Sequence, residues 1–359
     1  MESLIYAMRS VGRLLAAPSG WVYATLGLLL SMVHQPGYAL NRDCPTGTSP
    51  AVSCAYTLPT LRADPTLALD KPLSTELPIP ASTDWRQWRG VLFRIEAPPI
   101  RDRAPVVSYM MGTLHFGSLQ ELNLNADKLL AALKQSRLFI DEAHSPERWP
   151  TRLEAFRSLN PPPSLVDLLG PASFSTLTQL IPDIEPAQLQ RMKPWLALAL
   201  LESRGEASGE QTLDRQLAAW ARQDDIPIFH LETLEAQLQA LDCVPPAEHA
   251  SVLRQRLATP WLFEEQSQRV LEFYQAGDLP AWLDEIEAMT GLDAAAAAIE
   301  HRARLCLIEE RNARWLVQLD PLLRADSAFV AIGAIHLTGK DGLLAGLQQR
   351  GFVISALAR

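Results

Sequence analysis

The sequence predicts an α/β fold: a central mixed, largely parallel sheet assembled from both ends of the chain, with a large helical insertion over about residues 150–320. Three observations carry this. Short apolar runs stopped by glycine, at 106–111 before Gly112 and at 328–332 before Gly333, read as buried strands near both ends. The long stretch between them is mostly helical in pattern. A strand–helix–strand order over 106–142 requires a crossover, which makes its two strands parallel.

At 359 residues the chain is long enough for one large domain or two ordinary ones. Its 48% hydrophobic and 20% charged residues fit a globular protein rather than a disordered one. A net charge of −9 offers no basic stripe for nucleic acid or anionic lipid, so neither is expected as a partner.

Residues 1–39 read as a signal peptide. Arg9 and Arg13 precede an apolar segment, 21–33, that is short for a membrane span, and Gly37-Tyr38-Ala39 is a small-x-small cleavage signature. The expected location is periplasmic or secreted, with a retained N-terminal membrane anchor as the alternative. Export permits disulfides. Among the four cysteines the expected pairs are Cys44 with Cys54 and Cys243 with Cys306, one of three possible connectivities. Residues 40–84 are rich in Pro and Thr without periodicity and are expected to form a loosely ordered arm. The α/β domain is expected over 85–359.

Within that domain, residues 90–96 and 106–111 read as a hairpin turned through Pro98, Pro99 and Asp102. Asn125 can cap a helix with Leu129, Leu130 and Leu133 on one face. Leu138-Phe139-Ile140 is the next strand, ending in Asp141-Glu142. Helices fill 150–222, broken at Pro161-Pro162-Pro163 and Gly170-Pro171. Residues 225–232 read as a strand ending at Glu232. Residues 234–319 are helical again, with Asp293 capping a long helix that carries Arg311 and Asn312. The sheet resumes at 328–332. Leu343, Leu344 and Leu347 mark a helix face, Gly351 ends that helix, and Phe352-Val353-Ile354 is the last strand.

One short pattern occurs at both ends: Gly112-Thr113-Leu114-His115 and Gly333-Ala334-Ile335-His336. Each His falls where a strand hands over to a helix, and ligands bind at the carboxyl ends of strands in open α/β sheets. Glu142 and Glu232 also end strands. Two imidazoles and a carboxylate are a recurrent set for a divalent metal with open positions, suiting Zn, Mn, Co or Fe. A spare carboxylate can take the proton of a metal-bound water, which is hydrolytic chemistry in outline. Gly112 and Gly333 would let the backbone turn and a ligand approach closely. The plainer alternative makes each His a hydrogen-bonded structural residue, Arg311 an ion-pairing residue and Asn312 a residue without a role. His144 and His230 lie near the same rim, as ligands or as solvent-facing residues. His249 and His301 fall in helices and are expected at the surface. No phosphate loop, nucleophile elbow or H-E-x-x-H is present.

These residues resemble the TraB/PrgY/GumN family, which includes Tiki-like proteins. The resemblance covers about residues 85–356, in order. It rests on Leu92-Phe93-Arg94-Ile95, both G-x-x-H blocks and Phe139-Ile140-Asp141-Glu142. It also rests on Leu213-Asp214-Arg215-Gln216-Leu217 ("D-x-x-L"), Leu231-Glu232-Thr233-Leu234-Glu235-Ala236-Gln237 ("L-E-T-x-x-x-Q"), Tyr274-Gln275-Ala276-Gly277-Asp278 ("Y-x-x-G-D") and Glu310-Arg311-Asn312 ("E-R-N"). The resemblance implies a metal-dependent protease with Mn or Co, using His115, His336 and Glu142, with Arg311 and Asn312 as a helix pair beside the site. The wider superfamily includes erythromycin esterase-like hydrolases and haem-binding ChaN-like proteins, so the fold alone does not choose the chemistry. Asp141 stands where an apolar residue is commoner, which leaves open which of Asp141 and Glu142 faces the site.

The expected function is therefore an exported metal-dependent hydrolase, a peptidase acting on a peptide or protein. Its divalent metal (Mn, Co or Zn) would lie on His115, His336 and Glu142; Glu142, Arg311 and Asn312 would be catalytic, and Glu232 is a further candidate. The alternative is a non-catalytic periplasmic binding protein that sequesters a peptide signal, haem or metal.

Overall fold

The computed structural model describes residues 84–99, 104–144, 149–203 and 212–357. The signal peptide 1–39, the arm 40–84 apart from its last residue, and the expected pairing of Cys44 with Cys54 lie outside the described residues.

Six strands form one sheet in the order β4-β3-β5-β2-β1-β6. They are β1 (Leu92–Glu96), β2 (Val107–Thr113), β3 (Leu138–Ala143), β4 (Ile228–Glu232), β5 (Ala328–Gly333) and β6 (Val353–Ala356). The expected hairpin is there: β1 and β2 are antiparallel, with Leu92 opposite Met111. β6 closes the same edge, antiparallel to β1. The pairs β2–β5, β5–β3 and β3–β4 are all parallel. The sheet is thus mixed and largely parallel, built from both ends of the chain, with helices dominating the residues between. Met110, Met111, Phe139, Ile140, Phe329, Val330 and Ile332 in β2, β3 and β5 are fully buried, as expected for parallel strands covered on both faces.

The sequence order β2–helix–β3 gives parallel strands, but they are not neighbours. β5, from the far end of the chain, lies between them, with Gly112 beside Ile332 and Phe139 beside Phe329. This insertion carries His336 to a place between His115 and Glu142.

Helix α1 (Ala126–Lys134) connects β2 to β3, and the Asn125 side chain accepts from the Lys128 N–H as its N-cap. Helix α2 (Leu213–Gln223) packs along β3, β4 and β5 and buries Leu213, Leu217, Ala218 and Ala221. Helix α3 (Leu234–Leu241) follows β4 directly, its N-terminus capped by the Thr233 hydroxyl. Helix α4 (Trp261–Ala276) ends at Gly277, whose φ of +69° is the left-handed turn that glycine adopts without steric cost. The long helix expected after Asp293 is there, with one widened turn inside it. It runs as α5 (Ala294–Arg304), a wide π turn (Leu305–Glu309) and α6 (Glu310–Ala325). Such turns occur often at functional sites, because an extra residue re-aims the side chains that follow. Helix α7 (Leu343–Gln349) precedes β6.

Two apolar cores result. One surrounds the sheet and includes Tyr274, Trp315, Leu319 and Leu347. The other lies among helices of the insertion, around Trp195, Leu196, Leu253 and Leu257. His249, expected at the surface, is buried in the helix Pro246–Ala258 next to this second core. Burial, with Lys193 nearby, holds its imidazole down to about 4, so it is neutral. Cys243 and Cys306 are disulfide-bonded, the pairing the sequence expected, and tie the end of α3 to the π turn. No helix among the described residues is long and apolar enough to cross a membrane.

Candidate functional site

Strand alternation settles which acid belongs to the site. Successive residues on a strand face opposite sides of the sheet. Asp141 pairs with His230, its register partner on β4, by a hydrogen bond to Nδ1. Glu142 points to the other side, toward α6 and the end of β5. His144 lies against His230, ring centroids 5.2 Å apart, and belongs to that Asp141 cluster rather than to Glu142.

Glu142 is nearly buried, and three donors hold it. The Gly333 backbone N–H donates to Oε1 at 2.8 Å. Arg311 Nη2 donates to Oε2 at 2.7 Å, and Gln237 Nε2 donates to the same oxygen at 3.2 Å. Burial by itself would raise this carboxyl, but Arg311, then the two histidines, then the Gly333 N–H outweigh it and hold it down at about 2. It is a carboxylate at every ordinary pH.

Arg311 is buried at the centre of the site. Nε and Nη2 donate to Glu232 Oε1 at 2.9 and 2.6 Å. Nη1 donates to the Leu307 carbonyl at 3.1 Å, an acceptor supplied by the π turn, and to His336 Nε2 at 3.2 Å. The guanidinium lies 4.4 Å over the ring of Trp315, one helical turn further along α6. Glu232 Oε2 is buried and has no hydrogen-bond partner.

His336 is buried, and its tautomer is fixed. Asn312 Nδ2 donates to the carbonyls of His336 and Asp341, at 3.1 and 3.0 Å, which turns its Oδ1 toward the ring. Nδ1–H of His336 donates to that Oδ1 at 2.7 Å, leaving Nε2 as the acceptor. Burial first, then Arg311, depress the imidazole to about 3, so the ring is neutral. Trp315 packs against it at 4.6 Å between centroids.

His115 stands at the open side, its side chain half exposed. Nδ1–H donates to Asp214 Oδ2 at 3.2 Å, and Asp214 also accepts from the Thr113 hydroxyl. Asp214 lies in the first turn of α2. Burial opposes charge on the ring, but Asp214 and then Glu142 outweigh it, raising His115 to about 9.

The three candidate ligands converge on Gly333. A Cβ there would lie 3.2 Å from Glu142 Oε1, 3.5 Å from His336 Cδ2 and 4.0 Å from His115 Nε2. The two motif glycines therefore differ. Gly333 leaves space that the site uses. Gly112 serves packing: a Cβ there would meet the Cα and Cβ of Ala334 at 2.9 Å, and its carbonyl accepts from the buried Tyr274 hydroxyl at 2.7 Å.

The donor set suits a divalent metal in kind, with two neutral-capable imidazoles, a carboxylate and a vacant side-chain position between them. Among the described residues, however, no three His, Cys, Asp or Glu side chains stand as they would around a metal ion. Arg311 already occupies two of the candidate donors. Its guanidinium engages Glu142 Oε2 and His336 Nε2, two of the lone pairs a metal would use.

The structure thus brings together His115, Glu142, His336, Arg311, Asn312 and Glu232 at the carboxyl rim of the parallel strands. The choice of those residues as candidates did not include Asp214, Gln237, Tyr274 or Trp315. The first three had a signal in the sequence: each is a fixed letter of the D-x-x-L, L-E-T-x-x-x-Q and Y-x-x-G-D segments. Trp315 had none.

Fold and site together define an α/β protein with a His–Glu–His cluster and a buried arginine at the carboxyl edge of its sheet. The model of the TraB/PrgY/gumN family matches residues 99–356, and the chain belongs to that family. No curated protein and no solved structure matches it.

Proposed function

We propose that this chain is a metal-dependent hydrolase, with the site at Gly333 as its active centre. The observation that carries this is the convergence of His115 Nε2, Glu142 Oε1 and the His336 ring on the space where Gly333 has no side chain. His115, His336 and Glu142 would hold a divalent ion, Mn, Co or Zn. When bound, such an ion supplies Lewis acidity and a water of lowered pKa. The protein's own groups do the rest. Asn312 fixes the His336 tautomer and leaves its Nε2 free of a proton, and Asp214 orients His115 through Nδ1, so that its Nε2 would face the ion once the ring gives up its second proton. The Gly333 N–H and Gln237 orient Glu142 to accept a proton. Arg311 offers a cation against developing negative charge, in a buried place where it acts most strongly. The substrate class, a peptide or protein, comes from the family resemblance. Residues 1–39 and the Cys243–Cys306 bond support an exported, periplasmic or secreted protein.

The test is purified protein with Mn, Co or Zn against a peptide library read by mass spectrometry, beside His115→Ala and Glu142→Gln. Metal-dependent cleavage lost in both variants is the expected result. No bound metal, and equal activity in His115→Ala, would remove the reading. One observation favours a second reading, a binding protein without turnover: Glu142 and His336 are already fully hydrogen-bonded within the chain. Ligand binding that survives Glu142→Gln, with no product formed, would select it.

A further inference from the structure

Arg311 and Glu232 are matched in an incomplete way. Glu232 accepts two hydrogen bonds from Arg311, but both reach Oε1. Its other oxygen, Oε2, is buried and unpartnered, in a side chain only 5% exposed. An unsatisfied buried carboxylate oxygen is costly, so natural sites rarely keep one without a reason. Arg311 Nη2 is shared: it lies 2.6 Å from Glu232 Oε1 and 2.7 Å from Glu142 Oε2. A shift of Nη2 off Glu142 onto Glu232 Oε2 would convert the contact into a two-pronged fork, Nε to Oε1 and Nη2 to Oε2, the geometry arginine prefers with carboxylates. Arg311 would keep two bonds to Glu232 and the one to the Leu307 carbonyl, and would give up those to Glu142 and His336. Glu142 Oε2 and His336 Nε2 would be released together, because the same planar group covers both.

We infer that Glu232 is the alternative seat of Arg311: the guanidinium withdraws onto it when a divalent cation takes Glu142 and His336. Arg311 and the cation exclude one another at those two atoms, and Glu232 is a positioning residue that lets the exchange occur without stranding a buried charge. This rests on the metal-dependent reading above. It explains why a second strand-end carboxylate stands beside a site that already has Glu142.

The experiment is Mn(II) binding to the purified protein, followed by the electron paramagnetic resonance of free Mn(II), across a double-mutant cycle: wild type, Glu232→Gln, Arg311→Met and the double variant. If Glu232 acts by seating Arg311, Glu232→Gln weakens binding about tenfold or more, a size typical of partners that orient metal ligands. In the Arg311→Met background the same change then has no effect, since there is no guanidinium to seat. A Glu232→Gln effect of equal size with and without Arg311 would mean that the carboxylate acts only through its charge, and would overturn the inference. Glu232→Asp keeps the charge while drawing the fork away, so it keeps the test sharp should Arg311→Met fail to fold. Weakened binding in Glu232→Asp is expected, and wild-type binding there also overturns the inference. If the wild type binds no Mn(II), the metal-dependent reading falls and this inference with it. If the wild type binds and only the cycle fails, this inference falls alone.

Discussion

Asp214 Oδ2 accepts the Nδ1–H of His115 at 3.2 Å, across a sequence gap that joins the first G-x-x-H loop to the first turn of a helix in the insertion. This contact orients the one imidazole of the site that faces solvent. It also has a consequence for stability. His115 titrates near 9 in the folded protein, above its ordinary value near 6.5. A raised histidine stabilises the fold fully below the lower value and loses that contribution as pH rises through the higher one. In metal-free protein the melting temperature should therefore decline between about pH 6.5 and 9. Asp214→Asn should flatten the decline, and an unchanged slope in that variant would contradict the assignment. The ring is half exposed, so the effect should be modest and weaken in salt.

Arg311 pairs with two buried carboxylates at once, Glu142 and Glu232. Arg311→Met should cost about 3–5 kcal/mol in denaturant unfolding at neutral pH, because it strands both charges. Part of that loss should return on acidification in the variant, as the stranded carboxylates take up protons. In the wild type the sign is opposite. Glu142 is held down at about 2, so its contribution is present above its ordinary value near 4.5 and lost as pH falls through about 2. Denaturation curves at pH 4 and pH 7 for both proteins would show the two trends crossing or not.

The two motif glycines should respond differently to alanine. In Gly333→Ala the new methyl faces Glu142 Oε1 at 3.2 Å and the His336 ring at 3.5 Å, at a backbone conformation open to any residue. The fold should persist with a small change in melting temperature, while metal binding and any hydrolysis fall by an order of magnitude or more. In Gly112→Ala the methyl meets Ala334 backbone at 2.9 Å. That variant should lose about 1–3 kcal/mol of stability, as overpacked cores do. Equal behaviour of the two would show that the space over Gly333 has no special use.

The Cys243–Cys306 bond closes a chain separation of 63 residues. Reduction should lower stability by about 4 kcal/mol through the entropy of the unfolded chain. Melting with and without a reductant, beside Cys243→Ser/Cys306→Ser, checks this. A reduced protein that melts with the oxidised one would show that the bond carries no constraint.

Much of the fold was legible because its signals are local. Gly-stopped apolar runs marked β2 and β5, Asn125 and Asp293 announced their helices as caps, and Gly351 closed the last one. The ligand candidates were legible for a similar reason: His115, Glu142, Glu232 and His336 each fall at or just past the end of a strand. The π turn was not, since one extra residue per turn leaves no mark in a window of helical periodicity. His249 was misplaced because a lone histidine in a helix reads as polar, whereas the packing of the insertion decides its burial.

The sequence by itself determined the elements, the parallel crossover and the residue types at the rim, while the Cys243–Cys306 pairing was one of three connectivities it allowed. Tertiary structure alone decided the neighbours. Insertion of β5 between β2 and β3 is a long-range pairing with no local signature, and it is what places His336 beside Glu142. Strand alternation then assigned Glu142 to the site and Asp141 to His230, a choice that two adjacent acids leave open until the sheet has a covered face. The rim could be read along the chain; which lone pairs meet which protons there depends on contacts between residues far apart in it.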